Sequence, residues 1–153
     1  MISDDAVLNE LLAKAVSADC SLKGKKFVDT STVHPETCAS AAERLREEGA
    51  IFVASPVFGD RNVAAAGKLI FSMAGPAATI ETLRPFVVDV MGRSVINMGE
   101  DVRKSSLLKI SGNILVLSFM EVIAEAQVFA EVTDLGTQHL EEFIAQMFGP
   151  VLE

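Results

Sequence analysis

The sequence predicts an α/β fold: a partial sheet followed by a long helix and a short C-terminal helix. Three observations carry this expectation. Short apolar runs closed by Gly, Pro or Asp alternate with stretches of helical periodicity up to residue 100. From residue 102 to 131 the pattern becomes one continuous apolar helix. Beyond Gly136, a helix breaker, a final amphipathic helix covers residues 137–147. A chain of 153 residues is long enough for one ordinary domain with a continuous core. The expected organisation is a sheet-containing segment, residues 1–100, and a helical segment, residues 101–153, without a flexible linker.

Taken in order, residues 5–16 place Val7, Leu8, Leu11, Leu12 and Ala15 on one face of an opening helix. Gly24 marks a turn, and residues 25–28 form a short buried strand. The segment 29–35, Asp-Thr-Ser-Thr-Val-His-Pro, ends that strand and feeds a helix, because Pro35 suits a first turn and Glu36 suits the positive end of the helix dipole. Ala39, Ala42 and Leu45 form the inner stripe of that helix, and Gly49 stops it. Residues 50–54 read as the next strand and 55–62 as an irregular stretch. Residues 68–73 form a strand with Leu69, Phe71 and Met73 on one side, closed by Gly75 and Pro76. A brief helix over 79–86, a last strand over 94–98 and a turn at Gly99 lead into the long helix.

Composition excludes several classes of function. Half the residues are apolar and only 22% are charged, which points to apolar surface buried beyond a monomer's own core and hence to a homodimer through the long helix. A net charge of -8 leaves no cationic footprint for nucleic acid or an anionic membrane. Cys20 and Cys38 lack a Cys-x-x-Cys spacing and have only His34 and His139 as further soft ligands, so no metal site is expected and the thiols read as reduced and structural. The N-terminus lacks the basic start and apolar stretch of a secretory signal, and a cytoplasmic location is the expectation. The long apolar helix carries Asn113, Glu121, Glu125 and Gln127, each costly in hydrocarbon, so it reads as buried at a protein interface rather than in a membrane.

Lys109 and Asn113 lie one helical turn apart on one face of that helix, with Gly112 flattening the surface between them. A lysine on an apolar helix can serve as a general acid, because partial burial draws its pKa toward neutrality. The plain alternative is a lysine whose stem lies along apolar surface while its head reaches water. The hydroxyls of the loop 29–32 sit at the carboxyl edge of a strand, where open α/β folds bind ligands, and an ordinary Asx or Ser/Thr turn accounts for the same residues. His34 reads as a solvated helix-entry residue, and Glu121 with Glu125 as structural carboxylates on the long helix. No Gly-x-Gly-x-x-Gly, Walker-type phosphate loop, Gly-x-Ser-x-Gly elbow or Cys/His nucleophile pair occurs in the sequence, so a hydrolase finds no support.

Set in order, these segments resemble the β-hydroxyacid dehydrogenase superfamily, which includes 3-hydroxyisobutyrate and 6-phosphogluconate dehydrogenases. Residues 29–35 resemble its Asp-x-Ser-Thr-x-x-Pro loop near cofactor and substrate. Pro56-Val57-Phe58-Gly59-Asp60 resembles its Pro-Val-Ser-Gly-Gly substrate loop, continued by Gly67-Lys68-Leu69. Lys109-Ile110-Ser111-Gly112-Asn113 resembles Lys-x-x-Asn-Asn, and Glu125-Ala126 a Glu-Ala pair in the interdomain helix. The resemblance implies a partial Rossmann-like sheet, truncated at both ends relative to the family. It implies Lys109 and Asn113 as catalytic residues, and Ser31, Thr32, Phe58, Gly59, Asp60 and Gly112 against a small-molecule substrate. It further implies Thr30 and Ser31 against an NADP or NAD cofactor.

Three departures accompany the match. Phe58 and Asp60 stand where the family has Ser and Gly, Gly112 stands where it has the first Asn, and the glycine fingerprint that receives a pyrophosphate is missing. The leading expectation is therefore an oxidoreductase-derived protein with Lys109 as acid/base. A cofactor-independent isomerase or cyclase acting on a small metabolite, and a non-catalytic interaction module, remain as alternatives.

Overall fold

The structure, a computed structural model, describes residues 1–149. It resolves into two compact units, Met1–Ile110 and Ser111–Glu153. The first unit opens with α1 (Asp5–Ser17), capped by Asp4, whose side chain accepts a hydrogen bond from the Val7 amide. Leu8 and Leu12, one turn apart, are its buried residues. Strand β1 (Lys26–Asp29) follows, then α2 (Pro35–Glu47), with Pro35 in the first turn and the His34 ring nitrogen accepting from the Glu36 amide. Strand β2 (Ile51–Ala54) runs parallel to β1, pairing Phe27 with Phe52 and Val28 with Val53.

The stretch 55–62, expected to be irregular, contains the two-residue strand β3 (Val57–Phe58) and the start of α3 (Arg61–Ala65). A two-residue strand is too short to show alternation, and a five-residue helix is too short to show a stripe. Tertiary pairing creates the strand: Val57 lies antiparallel to Phe71 and Phe58 to Ile70, both in β4 (Leu69–Met73). Then come α4 (Ala77–Val87), begun two residues earlier than expected, and β5 (Gly92–Asn97), parallel to β4. Both faces of β4 are covered, since Phe71, Ser72 and Met73 are all buried.

Strand β5 also begins earlier than expected, at Gly92, because this residue lies flat against β4. A Cβ there would stand 2.5 Å from the Leu69 carbonyl oxygen and 2.7 Å from the Phe71 ring. Gly92→Ala is therefore expected to cost about 1–3 kcal/mol, the range for overpacking, seen as a lower urea midpoint at unchanged slope. The sheet is partial in a specific sense. The pair β1–β2 and the trio β3–β4–β5 are separate ladders joined by one antiparallel bridge, Ala54 to Ala74, with hydrogen bonds of 3.0 and 2.8 Å. Strand β2 feeds two apolar clusters, Phe52 joining one with Leu12 and Leu45, and Val53 joining the other with Met73 and Ile80.

Helix α5 (Arg103–Val132) is continuous, and the two units divide within it rather than at residue 100. The reason is its first turns. Ser105 and Ser106 are fully buried; Ser105 donates to the Ser72 carbonyl at 2.9 Å, and the Ser106 hydroxyl lies 3.2 Å from the Cys38 thiol. That thiol is free and its pKa is pushed up by burial, in keeping with a structural cysteine, whereas Cys20 is exposed. The second unit consists of the rest of α5 and α6 (Thr137–Phe148). Within the chain the apolar side chains of α5 face outward, including Ile114, Leu117, Met120 and Phe129, with Leu117 65% exposed. By length and composition α5 is also apolar enough to cross a membrane, although it contains Glu121 and Glu125.

Candidate functional site

Lys109 projects from the early part of α5, and its ammonium lies 4.5 Å from the centroid of the Phe58 ring. That is cation–π distance. Phe58 reaches this position because β3 hydrogen-bonds to β4, with Phe58 in register with Ile70. The next residue, Gly59, has φ +129°, and a Cβ there would stand 2.7 Å from Val63 and 2.8 Å from Leu69. Asp60 then caps α3, its Oδ1 accepting from the Asn62 and Val63 amides at 2.8 and 2.9 Å. The loop is thus pinned on both sides of Phe58. Gly59→Ala combines a positive φ with two clashes and is expected to cost about 1–3 kcal/mol while displacing Phe58, measurable as a lower Tm together with a moved Phe58 ring resonance. Burial alone draws the Lys109 ammonium below the ordinary lysine range.

At the carboxyl end of β1, Asp29 folds back on its own loop, Oδ1 accepting from the Ser31 amide at 3.0 Å. Its other oxygen, Oδ2, is buried without a partner, and so is the Ser55 hydroxyl at the end of β2, whose amide donates to the Asp29 carbonyl at 2.7 Å. Unpaired buried oxygens are uncommon and mark positions where a further donor is accommodated. Ser31 is only 2% exposed, and its hydroxyl accepts from the Ile2 amide at 2.8 Å, so one of its lone pairs holds the N-terminal segment. Thr30 is half-buried and Thr32 exposed. Thr30 also lines an open apolar hollow of about 370 Å³ with Val57, Gly67, Leu69, Phe71 and Met91, which Lys109 does not border.

The structure therefore brings Lys109 together with Phe58, and Thr30 and Ser31 together with Asp29. Gly112 and Asn113, half-buried, follow in the next turn of α5 and belong to the second unit. His34 serves as the N-cap of α2, and Glu121 and Glu125 are exposed. Among the described residues no group of three His, Cys, Asp or Glu side chains is placed to hold a metal ion. Sequence reasoning passed over Asp29 and Ser55 as ligand-facing groups. The signal for both was weak, a polar residue at the end of a short apolar run, and only the pairing of β1 with β2 sets them side by side.

Parallel strands with flanking helices and a polar carboxyl edge define a dinucleotide-binding class of α/β domain. Residues 1–99 match the family described as the NAD binding domain of 6-phosphogluconate dehydrogenase. The chain belongs to the β-hydroxyacid dehydrogenase superfamily. It is 32% identical over 147 residues to an NADH-dependent oxidoreductase, ucdB, of Aspergillus ustus, covering 96% of this chain and 48% of that protein. It is 32% identical over 123 residues to glyoxylate/succinic semialdehyde reductase 2 of Arabidopsis thaliana, covering 80% of this chain and 34% of the reductase. Its fold superimposes on Mycobacterium tuberculosis 3-hydroxyisobutyrate dehydrogenase with L-serine at a TM-score of 0.83 and 25% identity, covering 97% of this chain and 50% of that one. The chain spans about half the length, or less, of the curated relatives it matches.

Proposed function

We propose that this chain is the lysine-bearing part of a nicotinamide-dependent reductase acting on a small carbonyl compound, with Lys109 as the proton donor. The observation that carries the reading is the half-buried Lys109 ammonium in an oxidoreductase-family fold, drawn toward neutrality by desolvation and facing the pinned 56–60 loop. The residues fit a nicotinamide riboside at the end of β1, where Asp29 Oδ2 is a buried acceptor without a donor and the Thr30 hydroxyl lines the adjacent hollow. When bound, the nicotinamide supplies hydride. Lys109 then protonates the substrate oxygen on which negative charge develops.

No Gly-x-Gly-x-x-Gly lies within these 153 residues, so the grip on the pyrophosphate comes from outside them, and these residues by themselves hold the coenzyme weakly. Homodimerisation through the exposed apolar residues of α5 and a cytoplasmic location belong to the same reading. Titrating the purified chain with NADH and with NADPH tests it: saturable enhancement of coenzyme fluorescence is expected, and no change up to millimolar coenzyme overturns it. The pH profile carries a sign. Reduction needs the ammonium, so its rate falls as pH rises through the depressed pKa of Lys109, on a limb that begins below the ordinary lysine range. The reverse oxidation needs the free amine and gains over the same interval.

A further inference from the structure

We propose that Phe58 sets the substrate specificity of this site: its ring covers the Lys109 ammonium and reserves it for an uncharged carbonyl group, excluding a carboxylate. The inference rests on the reading of Lys109 as proton donor and adds the class of compound that receives the proton. Its starting point is the 4.5 Å approach of Nζ to the ring centroid, which places the negative face of the aromatic quadrupole on one side of the cation. A carboxylate held at a partly buried ammonium also needs donors for its remaining lone pairs. Here the ring occupies one approach to the ammonium and offers no hydrogen-bond donor.

The neighbouring loop adds repulsion. Asp60, two residues beyond Phe58, is an exposed carboxylate whose Oδ1 is committed to capping α3, and Gly59 contributes no side chain. Arg61, the cation that follows the loop, is exposed at the first residue of α3, so an anion that reaches it remains in water and gains little. Partial burial lowers the pKa of Lys109, so its ammonium gives up a proton to a carbonyl oxygen more readily than an ordinary lysine does. Apolar surface from the ring and the lysine stem suits a substrate carrying hydrocarbon beside its carbonyl. Among the relatives, the reductase and the dehydrogenase whose names include glyoxylate, succinic semialdehyde, 3-hydroxyisobutyrate and L-serine take or hold carboxylates, whereas the imine reductases that share the fold carry no such compound in their names. This chain thus departs from the carboxylate-handling relatives in what it accepts.

The test is nuclear magnetic resonance of the 153-residue chain with its lysines carrying ¹³C-methyl groups, the Lys109 signal assigned by its loss in Lys109→Arg. In the unmutated protein the Lys109 methyl signal is expected upfield of the other lysines, because it lies over the ring face. Cyclohexanone is expected to move it saturably, and sodium acetate up to tens of millimolar to leave it in place. Phe58→Leu keeps bulk but removes the quadrupole, and is expected to lower the proton affinity of Lys109 about two- to fivefold. Phe58→Ser opens the ammonium to solvent and is expected to make the signal respond saturably to acetate.

An unshifted Lys109 signal in the unmutated protein, or a saturable acetate response there, overturns the proposal. So does a Phe58→Leu variant with unchanged Lys109 titration. The first two readings need no substitution and stand even where a variant fails to fold. None of the measurements involves coenzyme, so a failed nicotinamide titration and a failed Phe58 test are separate results.

Discussion

Lys109→Ala is expected to lower the rate of carbonyl reduction by about 10²–10⁴-fold, the usual contribution of a positioned general acid, with the coenzyme dissociation constant unchanged. The loss should fall on kcat and kcat/KM alike, because the proton is delivered only as charge develops on the substrate oxygen. Lys109→Arg is the sharper control. A guanidinium preserves the cation and can still lie over the Phe58 ring, yet its pKa is too high for it to give up a proton at neutral pH. It is therefore expected to be nearly as impaired as the alanine variant while retaining the fold. The measurement is single-turnover reduction followed by coenzyme absorbance in the complete coenzyme-binding assembly. Full activity in either variant removes Lys109 from the chemistry.

The second large effect concerns the scaffold. Leu45 on α2 is 0% exposed and shares a cluster with Leu8, Leu12, Ala41 and Phe52, where α1 and α2 cover the β1–β2 ladder. Leu45→Ala is expected to destabilise the fold by about 2–5 kcal/mol, combining lost apolar burial with a cavity that α1 and α2 cannot close completely. That is a large share of a typical domain's stability of about 5–15 kcal/mol. Arg46→Ala, next along the chain, serves as the contrast. Its ion pair with Glu43 joins side chains 71% and 60% exposed, so solvent screens it and its loss is expected to leave the urea midpoint nearly unchanged. Urea unfolding of the two variants separates core packing from surface charge, and equal midpoints would show that the β1–β2 ladder does not depend on this cluster.

The longer helices were legible because each carries its own signal, whereas the five-residue α3 was not. Pro35 marks a start and Gly49 and Gly136 mark two stops, whereas the stripes were only partly right: Leu8, Leu12 and Leu45 are buried, but α2 turns Cys38 and Ala41 inward rather than Ala39 and Ala42, and Leu11 is exposed. Strands β1, β2 and β4 were legible as short apolar runs. Strand β3 was not, since two residues carry no period and their conformation comes from pairing with Phe71 and Ile70. The early start of β5 at Gly92 was hidden for a related reason: the glycine reads as a turn, but it is the close approach of Leu69 and Phe71 that requires it. Of the site, Lys109 and the 56–60 loop were visible as residue types in a family pattern. The contact between them, across fifty residues of chain, was not.

By itself the sequence determined the α/β class, the order of the five longer helices and the ancestry shared with β-hydroxyacid dehydrogenases. These depend on local periodicity, capping and spacing, which are written residue by residue. Tertiary structure alone decided that Phe58 lies over the Lys109 ammonium, that Asp29 and Ser55 adjoin with unpaired buried oxygens, and that the first turns of α5 are anchored by Ser105 and Ser106. Each of these joins residues distant in the chain. Which pairs meet is fixed by strand register and close packing of the whole, and neither property resides in any one segment.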